Sequence, residues 1–270
     1  MGLLIIKLAL TPLLMWLVSY ASRKWGTQLG GLLSGLPLTS GPISIYLLIE
    51  QGREFAAQSA ISSLAGVGAI SIFWFVYSVM ARRFSVHWCV LIALGIFVAE
   101  MSLLQRFHLA LWLVLAADLA IITVILRMIP MPGLEESKIS YPRWDLPARM
   151  ATATGMVVLV TFTAHLLGPN LSGLLSPIPI LALPLCVFAH VQQGEAGAQA
   201  VACGNLRAAY GVTIFYAVLG LFVPGGNLYL AYMGAFVGSA LAVVPWLPQR
   251  RHVWPGRTTE KFGSCRIPPA

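Results

Sequence analysis

The chain has 270 residues, 58% of them hydrophobic and 10% charged, with a formal charge of +8. Soluble domains carry roughly 25% charged residues, so this composition excludes one, and several apolar runs exceed the ~18 residues that mark a membrane span. The basic residues lie mostly in short loops and the tail, which reads as a topological signal and not as a nucleic-acid footprint.

An all-α, polytopic transmembrane bundle of about nine spans is predicted. The first span covers 3–21, with Lys7 at its outer end and Arg23 and Lys24 after it. That charge order predicts a retained helix and not a cleaved signal. The second, 27–50, is interrupted by Pro37 and Pro42. A proline removes a donor and biases its predecessor away from helix, so two of them split the span into half-helices. Spans three to five are predicted at 55–80, 86–104 and 108–129. A polar link, 130–145, follows. Spans six to nine are predicted at 146–167, 170–191, 198–223 and 227–247, before a basic tail at 248–270. The predicted units are a first repeat (1–129), the cytoplasmic linker, a second repeat (146–247) and the flexible tail. With the N-terminus outside, most Arg and Lys fall on the cytoplasmic side, as the positive-inside rule requires.

The seventh span is interrupted like the second. Pro179 and Pro184 follow Pro37 and Pro42 at an offset of 142 residues, and Gln193-Gly194 follows Gln51-Gly52 at the same offset. Phe73 falls on Phe215 and Trp74 on Tyr216. Five spans before the link invert the second copy, and inverted repeats with broken helices mark many secondary transporters. The plan resembles that of small secondary transporters with two five-helix inverted repeats, such as bile-acid-symporter-like and auxin-efflux-like carriers. It also resembles an uncharacterised bacterial inner-membrane family. The resemblance is one of topology and implies no particular residue.

Candidate residues follow from cost in the bilayer. Thr39, Ser40, Gly41 and Pro42 form a helix start whose free N–H groups would face an anionic group, or else a packed kink. Asp118, in mid-span, should be paired, protonated or cavity-facing, and is the candidate for proton or cation coupling; Glu100 is second. Arg207 either lies inside the eighth span, as an anion or Asp118 partner, or at a helix start near Leu206 as an interfacial cation. Gate or break positions are Pro37, Glu50, Gln51, Pro177, Pro179, Pro184, Gln192 and Gln193, with His190 beside the last two. Gly31/Gly35 and Gly234/Gly238 are small-residue packing motifs, within the chain or between copies in a homo-oligomer.

No P-loop, HExxH or GxSxG motif appears, and the four cysteines show no metal-ligand spacing. The expected protein is therefore not an enzyme and carries no cofactor or metal. It is expected to be a secondary transporter of a small solute, with an anionic one as the suggested class, in the bacterial inner membrane. The alternatives are a lipid flippase or enzyme acting on a lipid-linked substrate, and a non-transporting assembly subunit.

Overall fold

The computed structural model describes residues 2–38, 40–104, 106, 110–129, 142, 144–175 and 179–247, and no strand occurs among them. The helices are α1 (Gly2–Trp25), α2 (Thr27–Gly35), α3 (Ser40–Gln51), α4 (Arg53–Met80) and α5 (Val86–Leu104). They continue with α6 (Leu111–Met128), α7 (Asp145–Leu175), α8 (Ala182–Phe222) and α9 (Leu228–Val243), which ends in a 3-10 turn at Val244–Trp246. Among the described residues, α4, α5, α6, α8 and the α9 stretch to Trp246 are long and apolar enough to cross a membrane.

The first break is where the prolines require it. Leu36 precedes Pro37 and is extended (φ −67°, ψ 157°), ending α2. The Pro37 carbonyl then accepts the Gly41 N–H at 2.9 Å, which starts α3. In the second break the Pro179 carbonyl accepts the Leu183 N–H at 2.8 Å, starting α8.

Two predicted boundaries do not hold. α7 runs on to Leu175, through the predicted loop at 168–169. α8 runs through the predicted boundary between spans seven and eight, with Gly194 (φ 67°, ψ −153°) as a kink between a first limb, 182–193, and a second, 195–222. Gly52, between α3 and α4, is its counterpart at φ 87°, ψ 178°. These backbone conformations are open almost only to glycine. A Cβ at either position would meet no atom within 4 Å, so the penalty for alanine is conformational alone. Gly194→Ala should therefore destabilise by about 1–3 kcal/mol. Gly95→Ala, inside α5 with equally open space, should instead stabilise by up to ~1 kcal/mol. Thermal unfolding in detergent checks both, and equal melting temperatures for the two variants would refute the conformational argument.

α4 and the second limb of α8 form the spine, and they run antiparallel. Ala56, Ala57 and Ala60 pack with Leu219 and Val223, Val67 packs with Ala209, and Gln199 donates to the Ser78 carbonyl. Small residues permit the close approach. α2 lies still closer on α8: a Cβ at Gly31 would meet the Val201 backbone, and one at Gly35 would meet Ala208 Cβ at 2.7 Å. The Gly31/Gly35 motif thus packs within the chain. Gly234 and Gly238 likewise face Val218 and Ile214 of α8.

Candidate functional site

Polar side chains gather in two layers. The first lies where the α2–α3 break crosses the spine. On the α2 side, the Asn205 amide donates to Ser34 Oγ at 3.3 Å. On the α3 side, the Tyr216 hydroxyl interacts with the hydroxyls of Ser40 and Ser63. The break is therefore laid along α8 between Asn205 and Tyr216.

Asp118 reaches the spine from α6. It is 3% exposed and touches the Gly68 backbone of α4, where a Cβ would come within 2.6 Å of its Oδ1. Its Oδ2 has no hydrogen-bond partner. The height of Asp118 is fixed by its neighbours on α6: Thr123 bonds the Tyr210 hydroxyl at 2.8 Å, and Leu111 lies against Gly220. The antiparallel run between those contacts sets Asp118 between Tyr210 and Gly220 along α8. α4 thus carries both Ser63, in the Tyr216–Ser63–Ser40 contacts, and Gly68, against the buried carboxyl.

The helix start at Ser40 offers fewer donors than the sequence implied. The Gly41 N–H is taken by the Pro37 carbonyl, and Pro42 has none. Gly41 is buried against the Phe236 ring, 2.5 Å from its notional Cβ, while Pro42 is exposed. Thr39 and Pro177 lie outside the described residues.

Arg207 lies well inside the second limb, not at a helix start, and its guanidinium sits 5.4 Å over the Trp246 ring. Trp246 in turn stacks on Tyr210 at 5.9 Å. Glu100 is half-buried on α5, with Oε2 lacking a hydrogen-bond partner. Glu50 and Gln51 are exposed at the end of α3. Pro184 is buried in the first turn of α8, and Pro179 is half-buried ahead of it.

The second layer surrounds the end of the first limb. Asp145 Oδ2 accepts from Arg23 at 2.5 Å, and Asp145 Oδ1 accepts from Arg149 Nε at 3.0 Å. Arg149 also donates to Gln192 Oε1 at 3.0 Å, and the Gln192 amide donates to Asp145 Oδ1. Asp145 and Arg149 are buried at 0% and 1% side-chain exposure, and Arg149 lies 5.2 Å over the Phe188 ring. Gln193 accepts from Thr27 Oγ1 at 2.8 Å, and His190 Nδ1 pairs with the Tyr77 hydroxyl at 3.3 Å.

Burial alone would raise the Asp145 pKa, but hydrogen bonds from Arg23 and Gln192 and the charge of Arg149 outweigh it and hold the carboxyl below its ordinary 3.8. A depressed carboxylate stabilises the fold fully above the unfolded value, and that stability is lost as pH falls through the folded one. Melting temperature should thus fall along an acid limb below pH 3.8 that Asp145→Asn lacks. A titration of melting temperature in detergent tests this, and identical limbs in both proteins would refute it.

The sequence reading named Gln192, Gln193 and His190 of this layer as gate positions but missed its ion pairs, because it left Asp145 in the polar link. Asp145 is in fact the first residue of α7. The available signal was the i,i+4 spacing of Asp145 and Arg149 on a helix start. Tyr216 was missed as a site residue too, although a mid-span tyrosine hydroxyl needs a partner.

The fold and these layers define an all-helical integral membrane protein. No family model, curated protein or solved structure matches the chain.

Proposed function

We propose that the chain is a secondary transporter that moves a small solute across a bacterial inner membrane by alternating access. Its nine predicted spans form two inverted repeats, with the N-terminus outside. The observation that carries this reading is the matched construction of the two breaks. Each has a proline carbonyl bonded to the N–H four residues on, and each following helix limb ends at a glycine of positive φ, Gly52 or Gly194. All these positions differ by 142 residues. The antiparallel packing of α4 on the second limb, which that offset pairs, supports the inversion.

In this reading the solute meets the layer at Ser40, Ser63 and Tyr216, whose hydroxyls supply the hydrogen-bonding groups. Asp118 couples transport to a proton or cation. A mid-membrane carboxylate with one unpartnered oxygen is costly, and binding a proton or cation removes the cost. A lipid-headgroup site would need free cations, whereas Arg149 is engaged by Asp145 and Gln192 and Arg207 lies on Trp246. That favours a solute over a lipid.

Proteoliposomes loaded with a pH-sensitive dye provide the test. Imposed gradients of small organic and inorganic anions should drive proton movement above that of empty liposomes for at least one solute. Traces matching empty liposomes for the whole panel, in both gradient directions, would count against transport.

A further inference from the structure

We propose that Arg23, Asp145, Arg149 and Gln192 are the gate that closes one end of the transport path, and that the gate opens by movement of the first limb of α8 about Gly194. The proposal rests on the alternating-access reading and adds to it the moving part and the closed end.

The two limbs paired by the repeat are held differently at their ends. Along the first limb of α8, Ala182 to Cys186 are all buried. Its last turns are tied to α2 by Thr27–Gln193, to α4 by Tyr77–His190, and to α7 by Arg149–Gln192. Arg23 of α1 joins through Asp145. α3 packs on α8 and α9 through Ser40–Tyr216, Gly41–Phe236 and Ser44–Tyr232, but at its last turn Ile49 and Gln51 are exposed. A transporter of inverted repeats changes access by exchanging the conformations of its two halves. The tightly held limb therefore marks the closed end and the limb with the exposed last turn the open one.

The chemistry of the cluster suits a gate better than a fixed staple. Buried ion pairs give little net stability over apolar packing, because desolvation offsets their attraction. What they supply is a defined geometry that is made or lost as a unit. The cluster holds the last turn before Gly194, whose backbone conformation already departs from the helix. Hinges are a few such element-terminal residues that absorb a backbone change. The charge balance gives the direction of the response. One carboxylate lies between two guanidiniums, and neutralising it leaves two cations that repel.

The test reads accessibility and needs no known solute. A single cysteine is placed by Ser40→Cys in a chain whose own cysteines are replaced by alanine. Oriented membrane vesicles are then treated from either face with a membrane-impermeant maleimide. Asp145→Asn should raise labelling from the Arg23 face by about tenfold and lower it from the opposite face. Arg23→Gln, at a part-exposed position that burdens folding less, should shift labelling in the same direction by a smaller factor. In a parallel chain that retains Cys89 alone, that buried thiol should stay unlabelled in both variants. Unchanged labelling at position 40 in both variants would overturn the gate. Labelling of Cys89 along with position 40 would overturn it too, because the cluster would then be holding the fold as a whole. The liposome assay separates the two claims. Solute-driven flux without an accessibility change leaves transport standing and removes the gate; an accessibility change without flux does the reverse.

Discussion

Gly204→Val is expected to yield no folded protein, and Gly204→Ala a protein severely weakened. A Cβ at Gly204 would run into the Gln28 carbonyl and lie 2.6 Å from the Leu32 nitrogen and 2.9 Å from the Gly31 carbonyl carbon. All three are backbone atoms of α2, so no side-chain rotation relieves the clash. Overpacking a core usually costs about 1–3 kcal/mol, and a backbone collision stands above that range. Against a total stability of roughly 5–15 kcal/mol, valine should exceed what the fold tolerates. The effect should propagate, because Ser34–Asn205 and Thr27–Gln193 depend on the same helix contact. Gly234→Ala is the matched control: its Cβ would meet only Val218 Cγ1, at 3.9 Å, and should be near neutral. Size-exclusion profiles and melting curves in detergent decide the matter. A Gly204→Ala protein as stable as the parent would show that α2 does not approach α8 this closely.

Asp118→Asn should abolish gradient-driven flux while leaving the protein at least as stable as the parent. The two halves of that expectation have one cause. A carboxylate near mid-membrane costs roughly 3 kcal/mol on insertion scales. Asp118 recovers part of this through the Gly68 backbone, and its second oxygen recovers none. Asparagine removes the charge and keeps the shape, so the fold loses little. In the proposed mechanism, what is lost is the ability to carry a proton or cation. A drop of at least about tenfold in pH-driven flux is expected, the scale on which removing an acid–base group acts. Gly68→Ala should mimic it, since the new methyl would displace the carboxyl from α4. Flux unaltered in Asp118→Asn would end the coupling assignment. A lowered melting temperature would show that the carboxyl is structural.

Much of the helical plan was legible in the sequence. α5 occupies the predicted 86–104, and the break between α2 and α3 falls at Pro37, because the restriction that proline places on its predecessor acts locally. Boundaries without a proline were harder. Gly194 ends a limb through a positive φ that nothing in its neighbours announces, so the boundary between the predicted spans 170–191 and 198–223 falls inside one kinked helix, whose limbs are 182–193 and 195–222. The site was legible where cost in the membrane singles out a residue, as at Asp118. It was hidden where the meaning comes from a distant partner. Gly68 gains its role only from Asp118, 50 positions on. Asp145 joins Arg23 across 122 positions and Gln192 across 47. No local pattern encodes such pairings.

The order of synthesis gives the α2–α8 contact a further meaning. Ser34 meets Asn205 across 171 positions, so the interrupted segment leaves the ribosome long before the helix that covers it. Until 201–208 arrives, α2 lacks the helix that lies closest against it. The first half thus waits with the α8-facing side of α2 uncovered, and the bundle closes only when α8 is made. Assembly of this protein is governed by its last third, and chains truncated after α6 should be substrates for membrane quality control.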